Sequence, residues 1–132
     1  MRIRSDEGFV EFSCGSMEDP WDFDVSVESQ GFSACVYGVF PTSAGEFFQQ
    51  VRAIERNNFG RAVLHGTEEF QFALDLPRGN GAFWVEVRLS AGFGAGAPSR
   101  TLACRFRVEG EYWSTVVLGL RSVLVGYPPP EA

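Results

Sequence analysis

Lysine is missing altogether from this 132-residue chain, and other chemistry-bearing side chains are scarce: one His and three Cys. All eleven cations are therefore Arg, a usage that points to a GC-rich bacterial coding bias rather than to eleven separate functional choices. A single imidazole limits general-base chemistry to His65, which ends a short apolar run beside Gly66 with no Ser, Cys or carboxylate motif near it. It reads as a surface or core-edge histidine. No two Cys or His stand at zinc-ligand spacing, and no GxSxG, HExxH, P-loop or CxxC occurs. The sequence therefore predicts no catalytic residue, no cofactor and no metal. Cys14, Cys35 and Cys104 are odd in number and far apart, the pattern of small buried core residues in a reducing cytosol rather than of a disulfide framework.

Long hydrophobic runs are absent too. Nothing approaches the length that spans a bilayer, and the start Met1-Arg2-Ile3-Arg4-Ser5-Asp6-Glu7 turns acidic at once and lacks the apolar stretch of a secretory peptide. The expectation is a cytoplasmic protein. A net charge of −6 and a pI near 4.7 argue against nucleic acid or an anionic membrane as the main partner, since both require a basic surface. A basic protein would suit it. With 45% apolar and 21% charged residues, the composition is that of a folded domain, and the length predicts one domain over 1–126 with a proline-rich tail at 127–132.

What is plentiful is phenylalanine, thirteen in all, much of it at every second position. Val10, Phe12 and Cys14 alternate with Glu11 and Ser13. After the acidic turn Glu18-Asp19-Pro20, Trp21, Phe23, Val25 and Val27 take one side and Asp22, Asp24, Ser26 and Glu28 the other, which is a half-buried strand. Gln30-Gly31 predicts a two-residue hairpin loop that sets Val27 opposite Ala34 and Val25 opposite Val36. Ser43-Ala44-Gly45-Glu46 has the form of a capping box and opens a helix carrying Phe47, Phe48, Val51 and Ile54 on one face. Asn57-Asn58 and Gly60 end it.

A second meander follows over residues 61 to 109. Ala62 to His65 is short; Phe70, Phe72, Leu74 and Leu76 face inward; Phe83, Val85, Val87 and Leu89 return after the turn 77–81, putting Leu76 against Phe83 and Leu74 against Val85. Leu102, Cys104, Phe106 and Val108 form the last strand. Parity permits a register with Glu86 opposite Arg105 and Trp84 opposite Arg107, making a charge pair and a cation–π pair on the outer face. A closing helix at about 111 to 125 presents Tyr112, Trp113, Val116, Val117, Leu120, Val123 and Leu124 as an apolar stripe. The fold class is α+β: antiparallel meandering sheet or sheets of about seven strands with two helices, in the order βββ-α-ββββ-α.

Two features invite functional readings. Gly92-Phe93-Gly94-Ala95-Gly96-Ala97 looks like a nucleotide loop but is followed by Pro98 and a strand where a helix N-terminus should receive the phosphate. It reads as a hairpin connection able to mould to a partner. The carboxylates Glu18, Asp19, Asp22, Asp24 and Glu28 form an acidic edge, with Glu68-Glu69 a second one. Strands show polar residues to water by default; beyond that, such an edge attracts a basic protein, and Trp84 on a polar face is a second pointer to contact. The candidate partner-binding residues are Asp19, Asp22, Asp24, Glu28 and Trp84.

The order of elements, with the helix opening Ser43-Ala44-Gly45-Glu46-Phe47-Phe48, the strand Phe70-Gln71-Phe72-Ala73-Leu74-Asp75-Leu76, and Leu102-Ala103-Cys104-Arg105-Phe106-Arg107-Val108 leading into the helix from Tyr112 to Leu124, resembles an uncharacterised bacterial domain family of unknown function. It is similar in layout to the immunity proteins that protect cells from wall-associated polymorphic toxins. The resemblance implies a small cytosolic α+β protein that binds and neutralises a cognate toxin, often encoded beside it, and it carries no functional residues over. Two other readings stand: a ligand-binding or adaptor module shaped by the loop 91–99, and a small hydrolase using the surface carboxylates.

Overall fold

Period-two alternation builds eight strands, one more than the pattern predicts. The computed structural model describes residues 1–14, 23–67, 70–79, 81–91 and 100–124. The elements are β1 (Arg2–Ser5), β2 (Gly8–Cys14), β3 (Phe23–Ser29), β4 (Phe32–Val39), α1 (Ala44–Asn57), β5 (Gly60–His65), β6 (Gln71–Leu76), β7 (Ala82–Ala91), β8 (Arg100–Glu109) and α2 (Trp113–Val123), the last preceded by a 3-10 turn at Gly110–Tyr112. The order is thus ββββ-α-ββββ-α. The unforeseen strand is β1, where Ile3 is the one apolar side chain in four residues and no period can be read. It pairs with Val10 of β2 and is buried.

The strands divide into two four-stranded antiparallel sheets, β1-β2-β3-β4 and β5-β6-β7-β8, each in strict sequence order. Their apolar faces share one core with the helices. Phe12 of β2 meets Phe72 of β6 edge-on at 5.2 Å and Phe70 at 6.3 Å between ring centroids, with Phe23 of β3 at 5.7 Å. Phe47 of α1 lies 6.2 Å from Phe72. From α2, Trp113 stands edge-on to Phe83 of β7 at 5.1 Å, and its indole N–H donates to Glu55 of α1 at 3.3 Å. Phenylalanine at alternate positions thus supplies a layer of interlocked rings where the sheets face each other, each pair adding about 0.5–1.5 kcal/mol beyond area burial. At one end the sheets are stapled: Pro41 bridges Gly66, the Phe40 amide donates to Thr67 Oγ1 at 3.0 Å, and the Thr67 amide returns to the Phe40 carbonyl at 2.9 Å.

Five of the six expected pairs are observed, the sixth, Leu76–Phe83, falling one step beyond the last ladder pair, Asp75–Trp84. Val25 faces Val36 and Val27 faces Ala34, across a loop in which Gln30 and Gly31 both take positive φ, 50° and 85°, the mirror-image turn that suits strand twist. Leu74 faces Val85; Glu86 faces Arg105 and Trp84 faces Arg107. Between Phe23 and Val25 the β3–β4 register shifts, two residues of β4 opposing one of β3, so that Val36 and Val39 both turn inward. At the end of α1, Asn58 adopts a left-handed conformation (φ 63°) and its amide closes on the Ile54 carbonyl at 2.7 Å.

Three expectations are corrected. Ser43 does not cap α1 through its side chain; its hydroxyl accepts instead from the His65 amide at 2.9 Å, tying the helix start to the end of β5. Cys35 is exposed and Cys104 half-buried, because Ala34 and Val36 take the inward positions of β4 and leave Cys35 the outward one. Tyr112 is 52% exposed, since the 3-10 turn ahead of α2 rotates it off the stripe that buries Val116, Val117, Leu120 and Leu124. The turn 18–20, Trp21, the glycine-rich run 92–97, Glu68-Glu69 and the tail 127–132 lie outside the described residues.

Candidate partner-binding faces

Because both inner faces are committed to the core, the polar chemistry of the described strands stands mainly on two outer faces, one per sheet. Of the five candidate residues, Asp19 and Asp22 lie outside the described residues. Asp24 and Glu28 are on the outer face of the first sheet, between buried neighbours Phe23, Val25 and Val27. Trp84 is on the outer face of the second sheet, between buried Phe83 and Val85. The fold therefore separates Trp84 from the acidic pair.

On the first face the charges are sorted by strand. Arg2 of β1 grips Glu11 of β2 at 2.6 and 3.2 Å and lies 4.2 Å over the Phe9 ring. That hydrogen bond, set against a smaller desolvation effect, holds the Glu11 carboxyl below its usual range. One side of the face is thereby neutralised. β3 then presents Asp24 and Glu28, and β4 presents Ser33, Cys35 and Tyr37 with no charge at all. Ser26 donates to Cys35 Sγ at 3.3 Å. Tyr37, 74% exposed, has its phenol raised above its ordinary pKa, first by its hydrogen bond with Cys35 and its electrostatic interaction with that residue, then by desolvation, with Asp24 contributing least. The result is a strip of acid flanked by hydroxyl, thiol and a tyrosine ring, while Phe32 projects from the hairpin end, 69% exposed.

The second face is a lattice of opposite charges. Arg105 of β8 reaches both Glu86 of β7 (3.6 Å) and Asp75 of β6 (3.4 Å), and Arg61 of β5 pairs with Glu86. The cation–π contact expected between Trp84 and Arg107 is made by Arg105 instead, 4.3 Å from the ring centroid; Arg107 turns along its own strand to Glu109 at 2.8 Å. Arg105 is one diagonal step from Trp84 and so within reach of a long side chain. Ala73 and Ala103, small among these arginines, leave a shallow depression of about 280 Å³ lined also by Gln71, Arg88 and Cys104. Burial pushes the Cys104 thiol up, partly offset by a hydrogen bond from the Val87 backbone. Exposed pairs of this kind are each worth about 0–1 kcal/mol, and here they satisfy one another and engage Trp84.

A cleft of about 640 Å³ opens where β1 and β8 approach, lined by Arg2, Arg4, Asp6, Arg107, Glu109 and Tyr112 among others. Among the described residues no group of three or more His, Cys, Asp or Glu side chains is gathered closely enough to hold a metal ion, and no helix is long and apolar enough to cross a membrane. His65 is exposed at the end of β5. The residues sequence reasoning missed are Cys35 and Tyr37. The strand parity that turned Val36 inward was the signal that would have found them. Comparison with protein-family models, curated proteins and solved structures found no match.

Proposed function

We propose that this chain is a non-enzymatic binding protein of immunity type, which neutralises a cognate basic toxin by docking the outer face of its first sheet over the toxin's active surface. The observation that carries this reading is that Asp24 and Glu28 on β3 share one outer face with the exposed Tyr37 on β4. Carboxylates steer a basic partner and set its orientation, and tyrosine supplies a rigid ring with a polar tip of the kind enriched at interfaces. The second face favours this role less, because Arg61, Asp75, Glu86 and Arg105 already neutralise one another.

The test is whether the neighbouring gene encodes a protein with a toxin-like C-terminal domain and whether that purified domain binds this chain, measured by titration calorimetry with wild type and with Asp24→Arg plus Glu28→Arg. The expected result is a loss of about tenfold or more in affinity and a flatter salt dependence. Equal affinity for the charge-reversed protein, or no binding by wild type at low salt, would overturn the reading.

A further inference from the structure

Among the described residues the outer strand of the first sheet is hydrogen-bonded on one side only, although it also approaches β7, and its sequence is unusual for that position. β4 hydrogen-bonds to β3 alone among the described strands, and no further backbone bond from Phe32–Val39 joins another described segment. Natural edges are blunted by charge, proline or a bulge. This one, Phe-Ser-Ala-Cys-Val-Tyr-Gly-Val, carries no charge and no proline, and its irregularity comes only after Val36.

The hairpin geometry says which groups are open. With a two-residue loop, the flanking pair Ser29–Phe32 exchanges hydrogen bonds, and so do the alternate pairs Val27–Ala34 and Val25–Val36. The N–H and C=O groups of Ser33 and Cys35 are therefore turned away from β3, toward the open side. Cys35 sits midway between Ser33 and Tyr37, and all three side chains are exposed.

We propose that two copies of this chain pair antiparallel through β4, centred on Cys35, to make one continuous eight-stranded sheet across the dimer. In this register Cys35 exchanges both backbone hydrogen bonds with its own copy, Ser33 lies opposite Tyr37 of the second copy, and Ala34 lies opposite Val36. A second copy is the favoured occupant because the strand carries no charge to repel its own copy across the axis, and the exposed positions Ser33 and Tyr37 flank Cys35 evenly, so that one register serves both copies. The net charge of −6 does not forbid it: among the described residues β4 itself carries no carboxylate, and Asp24 and Glu28 are on β3. Three spacings of ~4.8 Å then separate them from their counterparts, more than the ~8 Å screening length at physiological salt. The interface is small beside the roughly 1,200–2,000 Å² of a stable complex, which sets the dimer in the micromolar range or weaker. This inference does not depend on the toxin-binding reading, whose carboxylates remain uncovered.

Sedimentation velocity on the full chain from ~10 µM to ~1 mM provides the test. Cys35→Pro is the informative variant: a proline whose missing N–H faces the open side is tolerated on an edge strand but cannot accept a further strand. Wild type should shift from monomer to dimer with concentration, while Cys35→Pro stays monomeric with its circular dichroism preserved. Should that variant fail to fold, Cys35→Lys sets like charges opposite each other at the dimer axis and should weaken association about fivefold. A wild type monomeric throughout, or a dimer that withstands the folded variant, would overturn the proposal.

Discussion

Replacing Phe12 with leucine tests whether the two sheets meet through their rings. Phe12→Leu keeps an apolar side chain of similar burial, so the change falls mainly on ring geometry. Phe12 has Phe23, Phe70 and Phe72 around it at 5.7, 6.3 and 5.2 Å. At about 0.5–1.5 kcal/mol for each ring pair, the three pairs put the cost of the substitution at roughly 1.5–4.5 kcal/mol. For a domain of this size, that lowers Tm by roughly 5–15 °C. Phe72→Leu loses its contacts with Phe12 and with Phe47 at 6.2 Å and should cost roughly 1–3 kcal/mol. The decisive quantity is the coupling. Urea unfolding of wild type, both single variants and the double variant, followed by tryptophan fluorescence, should give a double-mutant interaction energy of about 0.5–1.5 kcal/mol. Strict additivity, within about 0.3 kcal/mol, would mean that β2 and β6 do not touch across the core, and the shared-core description would fail.

Two further predictions use contrasted sites. A Cβ at Gly8 would collide with the Glu28 carbonyl oxygen across the β2–β3 pairing, whereas Gly45 in the first turn of α1 has open space around it; by chemical denaturation Gly8→Ala should destabilise by about 2 kcal/mol or more, and Gly45→Ala should stabilise by about 0.5–1 kcal/mol. The thiols should also separate. Alkylation followed by peptide mass spectrometry at pH 8 should modify exposed Cys35 well before Cys104, whose ionisation burial has raised. A folded-state pKa raised for an acid favours the protonated form, so the Cys104 contribution to stability is present below the ordinary thiol range of about 8.5 and fades as pH climbs toward the raised value. Equal labelling rates would contradict the half-buried placement.

Much of this architecture was legible because alternation is a local property. The run Phe72, Leu74 and the run Val85, Val87 fix their own faces, and the short loop Gln30-Gly31 fixes a register without reference to anything distant. The outer-face pair Glu86–Arg105 followed from parity and charge alone. What escaped the sequence depends on distance. Ser43 looks like a helix cap in its own neighbourhood, but the His65 amide, 22 residues away, takes its hydroxyl. Arg105 rather than Arg107 covers Trp84 because the choice between opposite and diagonal neighbours is settled by side-chain reach. The division into two sheets is invisible to alternation, which says which side is dry and not where one sheet stops. Of the candidate site, Asp24, Glu28 and Trp84 were correctly given outward positions, and their separation onto different faces needed the tertiary fold. Cys35 was misjudged by residue type where its own strand's parity pointed outward.

The strict sequential order within each sheet has a kinetic consequence. Within each sheet every strand pairs with its chain neighbour, so the pairings of each half close short loops at little entropic cost. The halves have far less to guide them toward each other than to form. Their meeting, closed by Pro41 on Gly66 and Phe40 on Thr67, carries the loop-closure cost that the hairpin pairings avoid, and it is what covers the phenylalanine-rich faces of both sheets.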